Sequence, residues 1–242
     1  MSKNSGNGGR NDKFVRVKTA KGRTNSSAKW LKRQLNDPYV RQAQKDGYRS
    51  RAVYKLLEID EKYKIIKPNS VVVDLGAAPG SWSQAALKIL KAERGGKIVG
   101  IDLQEIDSLA GAEFLQGDFL EEDVYLQLKD LVCSGAGDSE KGFVDVVMSD
   151  MAAAACGHTQ TDHIRIMYLC EVALDFAFEV LKKDGVFLAK ILRGGAENEL
   201  QKAMKKYFSS VKYIKPQASR ADSSEMYVVA VGFSGDRPRR RE

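Results

Sequence analysis

SVVVDLGAAPGSWSQAALKILKA (residues 70–92) holds a strand, a turn and a helix in one uninterrupted run. Val71, Val72, Val73 and Leu75 form a short aliphatic block with no polar alternation, as expected of a strand covered on both faces. Gly76, Pro79 and Gly80 then break the pattern, and the Pro-Gly pair opens a helix from Ser81. GKIVGIDL (96–103) follows as a second buried strand, and AEFLQGDF (112–119) as a shorter one. The remainder continues the alternation: EEDVYLQLKDLV (121–132) as a helix, FVDVVMSD (143–150) as a strand, and a long helix over 165–183. GVFLAKIL (185–192) reads as a strand, AENELQKAMKKYF (196–208) as a helix, and SVKYIKP and EMYVVAVGF as two last strands. Strand and helix alternating in this way predict an open, mostly parallel sheet with helices on both faces.

Upstream, NSSAKWLKRQLND (25–37) predicts a Ser-capped helix with Trp30, Leu31 and Leu35 on one side. PYVRQAQKDG (38–47) predicts a second helix that starts at Pro38 and stops at Gly47. RSRAVYKLLEID (49–60) places Ala52, Leu56 and Ile59 on a core-facing stripe, with Arg51 and Lys55 sharing another face.

The 242-residue chain carries a net charge of +7, unevenly distributed. Residues 1–35 contribute +9 and the tail RPRRRE +3, leaving −5 for the body between them. Basic ends of this kind suit a phosphate backbone, so a nucleic acid is an expected partner. Residues 1–25 are expected to form a basic arm, 26–234 the globular domain and 235–242 a basic tail. No apolar run reaches the roughly 18 residues needed to span a bilayer. The N-terminus lacks a secretory apolar core. Three scattered cysteines, Cys133, Cys156 and Cys170, show no CxxC spacing. A reducing compartment is therefore expected, the cytoplasm or an organelle matrix.

In a sheet of this type ligands bind beyond the carboxyl ends of the strands, where four aspartates stand: Asp74, Asp102, Asp118 and Asp150. Neither a phosphate-binding GxxxxGK[ST] nor a GxGxxG is present, the glycine spacing being Gly76-x-x-x-Gly80. Four carboxylates would repel a pyrophosphate but suit a ligand with a cationic centre. S-adenosylmethionine, a sulfonium with an adenosine and no phosphate, meets that requirement. Asp102 is then placed for the ribose hydroxyls and Asp118 for the adenine amino group. Lys190 interrupts an apolar strand, and an ammonium inside a fold requires partners. Asp150, Glu225 and Lys55 are the candidates that the strand order brings near it.

GYRSRAVYKLLEID, VVDLGAAPGSWSQ, FLQGDF, VVMSDMA, FLAKILRG and SRADSSEMYVVA, in that order, resemble the FtsJ/RrmJ family of ribosomal RNA 2′-O-ribose methyltransferases. The likeness runs from about Lys29 to Phe233. It implies a Rossmann-like class I S-adenosylmethionine-dependent methyltransferase: a mostly parallel seven-stranded sheet with an antiparallel last strand. It implies transfer to a uridine ribose in the A-loop of large-subunit rRNA on assembled 50S particles, by a cytoplasmic monomer. Relatives acting on a tRNA anticodon loop or mitochondrial rRNA are the alternative, and a non-catalytic RNA-binding assembly factor the alternative of a different class. The family's Lys-Asp-Lys-Glu tetrad falls on Lys55, Asp150, Lys190 and Glu225. Its donor contacts fall on Gly80, Trp82, Asp102, Asp118 and Asp150. One departure stands out: family members often read SDMAPN, where this chain has Ala153 and Ala154.

A ribose hydroxyl needs a base to take its proton as the methyl arrives. Lys190 is expected to receive or steer that proton and Asp150 to orient it, with Lys55 and Glu225 positioning the ribose and balancing charge. Arg49 and Arg51 are expected to grip phosphates at the mouth of the site. His158 and His163 lack a third ligand in a compatible pattern, so no metal site is expected.

Overall fold

The computed structural model describes residues 24–91, 95–134, 142–153, 156–193 and 197–236. Most of the basic arm and the tail from residue 237, with Ala154, lie outside the described residues. Three helices come first: α1 (Asn25–Asn36), α2 (Pro38–Asp46) and α3 (Val53–Tyr63). The cap of α1 is Thr24, two residues before the serine pair, its hydroxyl accepting the Ser27 N–H at 3.2 Å. Helix α2 opens on Pro38 and ends at Gly47, whose φ of +72° is the left-handed stop that glycine accepts most readily.

The alternation then produces β1 (Val71–Leu75), α4 (Ser81–Leu90), β2 (Lys97–Asp102), β3 (Ala112–Gln116), α5 (Glu122–Cys133) and β4 (Val144–Ser149). Next come α6 (Thr159–Val180), β5 (Leu181–Leu192), α7 (Glu197–Tyr207), β6 (Phe208–Ile214) and β7 (Glu225–Phe233). One seven-stranded sheet runs in the order β3-β2-β1-β4-β5-β7-β6. β7 lies antiparallel between β5 and β6, while the pairs among β1 to β5 are parallel. The start of β7 therefore lies beside the end of β5, one strand away from the end of β4.

Two apolar layers sandwich this sheet. Val53, Leu56 and Ile59 of α3 and Trp82, Ala85 and Ala86 of α4 cover one face together with Leu188, Tyr227 and Val229. Helices α5, α6 and α7 cover the other, packing Leu128, Phe176 and Met204 against Val73, Val147 and Ala189. Among the described residues no helix is long and apolar enough to cross a membrane.

The junction of α6 and β5 departs from the sequence expectation. Lys182 and Lys183, read as the last helical turn, are already extended, because Leu181 pairs with Val144 before a register shift brings Val186 opposite Val146. Asp184 absorbs the irregularity at φ +66°.

Candidate active site

The turn after β1 forms one wall of the crevice at the carboxyl edge of the sheet. Gly76 (φ +76°) and Ala77 both donate their N–H to Ile101 O, at 2.9 and 3.0 Å. Gly76 is required twice over. A Cβ there would stand 2.9 Å from the backbone of Met151, the residue after Asp150. Asp102 Oδ2 accepts the Ala78 N–H at 3.0 Å and its Oδ1 the Gln104 N–H at 2.9 Å. One lone pair per oxygen remains for a pair of vicinal hydroxyls. Asp118, two residues beyond β3, uses Oδ1 to hold the Leu120 N–H at 2.9 Å.

Asp74 departs from the expectation of four open carboxylates. It is fully buried and turned toward α4, accepting the Ser83 hydroxyl at 2.7 Å, while its Oδ1 has no partner. Burial, partly offset by Ser83 and reinforced by the negative charge of Asp150, raises its pKa to about 7. Between the unfolded value near 3.8 and the native value near 7, the folded protein holds the proton more tightly. Its contribution is full below pH 4 and lost as pH rises through 7, on the order of 4 kcal/mol. Asp74→Asn, which mimics the neutral acid, should therefore gain stability over the parent steadily from pH 4 to pH 8. Urea midpoints at pH 5 and 8 check this, and parallel pH profiles for the two proteins would refute it.

Across from the turn, two lysines and two carboxylates meet, with a tyrosine between them. Lys190 Nζ lies 2.9 Å from Asp150 Oδ1 and also donates to the Asp150 main-chain oxygen. Lys55 Nζ lies 2.8 Å from Glu225 Oε1 and 4.0 Å from Asp150 Oδ2. Tyr227, fully buried and paired with Lys190 in the sheet register, links the two halves. Its hydroxyl donates to Asp150 Oδ1 at 2.7 Å and accepts from Lys55 at 3.1 Å. Glu225 is in turn held by the Ser219 hydroxyl at 2.8 Å. Burial alone would raise the Asp150 pKa, but Lys190, Lys55 and Tyr227 outweigh it and hold the carboxyl below its usual range. Tyr227 moves far the other way, through burial and the negative Asp150 and Glu225. It stays a neutral donor. At the end of β5 this cluster sums to zero charge and presents a fixed carboxylate beside a buried ammonium.

The sequence pattern of the FtsJ-like methyltransferase family matches residues 48–233, spanning α3 and the whole sheet. The chain belongs to that family. Three proteins named ribosomal RNA large subunit methyltransferase E are each 54% identical to it. The one from Parvibaculum lavamentivorans aligns over 95% of this chain and 91% of its own. The one from a Ruegeria species aligns over 96% and 97%. The Rickettsia rickettsii protein aligns over 92% and 96%. A crystal structure of a Plasmodium falciparum protein titled a ribosomal RNA methyltransferase superposes with a TM-score of 0.67 at 31% identity. That superposition covers 78% of this chain and all of the other.

Within this family member, several residues are positioned otherwise than the sequence implies. The Trp82 ring is core, 3% exposed, packed on Tyr227 with Nε1 donating to Ala52 O at 2.8 Å. What Trp82 still offers a ligand is its main-chain N–H in the first turn of α4. Arg51 pairs with Asp37 at 2.7 Å and donates to Ala218 O, so its head serves the fold rather than solvent phosphates. Arg49 donates to three main-chain carbonyls. Asp162, in the first turn of α6, accepts the N–H groups of Cys156 and Gly157 and so anchors the loop beyond Asp150 from its far side. Among the described residues no group of three or more His, Cys, Asp or Glu is placed to hold a metal ion.

Tyr227 is the site residue that the sequence reading passed over. Inside EMYVVAVGF it looks like one more strand aromatic, and only the antiparallel pairing reveals its neighbours. Tyr227→Phe keeps the ring packing and leaves each lysine one carboxylate, so the fold should survive. Turnover should fall by roughly tenfold, the scale of one hydrogen bond to a charged group. Single-turnover rates on large-subunit particles test this, and a rate within twofold of the parent would remove the hydroxyl from the positioning network.

Proposed function

We propose that the protein transfers the methyl group of S-adenosylmethionine to the ribose 2′-hydroxyl of a uridine in large-subunit rRNA, in the A-loop of assembled 50S particles. It would act as a cytoplasmic monomer. The observation that carries this reading is the Lys190–Asp150–Tyr227–Lys55–Glu225 cluster at the lip of a crevice walled by Asp102. The names of the close relatives supply the substrate class.

The crevice suits the donor. Asp102 keeps lone pairs free for ribose hydroxyls and Asp118 stands one strand further out. Gly76 and Gly80, both at positive φ, let a ligand approach the backbone. Bound there, S-adenosylmethionine supplies an electrophilic methyl on a positively charged sulfur.

This chain's own residues do the rest. Asp150 stays ionised and fixes the Lys190 ammonium nitrogen from two sides, through Oδ1 and its own carbonyl. As an ammonium Lys190 steers the proton leaving the 2′-oxygen toward solvent, and it receives that proton itself only once its own has been released. Lys55, held by Glu225, faces the same space and supports the growing negative charge on that oxygen. Approximation of the two reactants supplies much of the remaining rate.

The test uses 50S particles from a strain lacking the enzyme, incubated with purified protein and radiolabelled donor. Ribose methylation is then mapped through the resistance of the modified linkage to alkaline cleavage. One labelled uridine in the large-subunit rRNA is expected. Label on a base, on tRNA alone, or on no RNA would overturn the proposal.

A further inference from the structure

We propose that Arg49 is a positioning residue for the methyl-donor crevice, strapping together the two loops that flank Asp102. This rests on the reading of that crevice as the donor site. Arg49 Nη1 donates to Pro79 O at 3.1 Å and to Asp107 O at 2.9 Å, and Nη2 donates to Ser108 O at 3.0 Å. Pro79 belongs to the turn after β1, and Asp107 and Ser108 to the loop after β2. One guanidinium therefore bridges both walls, and charge-assisted bonds of this kind are stronger than neutral ones.

The neighbouring glycine is shaped to this arrangement. A Cβ on Gly80 would stand 2.5 Å from Arg49 Nη1 and 3.3 Å from Ile106 Cγ2. The absence of a side chain at Gly80 thus admits the arginine head as well as a ligand.

The strap is itself anchored. Arg49 N–H donates to Gln84 Oε1 at 3.1 Å, and Gln84 Nε2 returns a bond to Gly47 O at 2.8 Å. Ser50 and Ser81 hydroxyls meet at 2.8 Å, and Trp82 Nε1 donates to Ala52 O at 2.8 Å. Residues 47–52 are laced to the first turn of α4, and they lead directly into α3 and Lys55. Three of the guanidinium donors face protein carbonyls, which is the geometry of a brace. Preorganised walls raise affinity by removing the cost of ordering them on binding.

Arg49→Met keeps the apolar stem and removes the bridging head. It should weaken S-adenosylhomocysteine binding by calorimetry, and raise the KM for the donor, by about tenfold or more. The KM for 50S particles, its salt dependence, and kcat at saturating donor should stay within about threefold, with Arg49→Lys partly restoring donor affinity. A raised particle KM with a flatter salt slope and unchanged donor affinity would make Arg49 a phosphate contact and overturn the proposal. Equal loss of donor and particle binding with a collapsed melting transition would reduce it to fold support, which also overturns it. Failure of the parent protein to bind S-adenosylhomocysteine would instead sink the donor-site reading on which the proposal rests.

Discussion

Lys190→Ala is expected to lower methyl transfer to large-subunit particles by about 10²- to 10⁴-fold, the range typical of a lost proton-transfer group. Donor affinity should stay within about threefold of the parent. The separation follows from position. Lys190 sits on β5 against Asp150, whereas Asp102 and the Gly76–Gly80 turn lie toward β1 and β2. Truncation leaves Asp150 still bonded by the Tyr227 hydroxyl, with Lys55 4.0 Å away, so no carboxylate is stranded. Lys190→Arg should rescue little. A guanidinium does not release its proton in the accessible range, and its planar fork does not fit a point held between one carboxylate oxygen and one carbonyl. Single-turnover rates with calorimetric donor binding decide the matter. Near-parental turnover in the alanine variant would remove Lys190 from the chemistry.

Removing Asp150 should cost more stability than removing Asp150 and Lys190 together. Asp150→Ala leaves the Lys190 ammonium, in a side chain only 8% exposed, with a main-chain carbonyl as its remaining partner. Breaking one half of such a buried pair costs about 3–5 kcal/mol, and removing both halves costs much less. The pair should therefore show strong non-additivity in a double-mutant cycle, several times the few tenths of a kcal/mol seen for independent sites. Denaturant midpoints for the parent, both single variants and the double variant give the coupling directly. Simple additivity would mean that solvent or Glu225 already neutralises Lys190. Both Asp150 variants should be inactive, so stability and activity separate only in this comparison.

Much of this arrangement was legible in the sequence because it sits at strand ends, where an aspartate or a lysine interrupts an aliphatic run. Asp102, Asp150 and Lys190 stand out for that reason, and hydrophobic periodicity alone locates the seven strands. The strand-end reading and the family likeness both put Lys55 and Glu225 in the cluster, but not as a pair: these residues, 170 positions apart, meet at 2.8 Å through a contact that no local pattern encodes. Features that depend on phase or on distant carbonyls escaped. Asp74 looks like the other strand-end aspartates, but the rotation of α4 brings Ser83 over it and closes it in. Arg49 and Arg51 look like free cations, because hydrogen bonding to main-chain oxygens leaves no trace in residue type. The sequence Lys182-Lys183-Asp184-Gly185 mimics a helix end, with basic residues before a glycine, although the chain is already extended there to pair with β4.

The placement of β7 between β5 and β6 also sets the order of events in the life of the chain. Synthesis delivers α3 with Lys55 early, then Asp150, Lys190 and β6, and only afterwards residues 225–233. A nascent chain without that last strand leaves β5 and β6 without the strand that pairs with both, and two lysines facing a single carboxylate. β7 fills the gap between β5 and β6, leaving β3 and β6 as the outer strands, and brings Glu225 and Tyr227 into the cluster so that its charges balance. A chain cut short before Glu225 lacks the strand that joins β6 to the rest of the sheet, and with it the Glu225 and Tyr227 partners of Lys55 and Asp150.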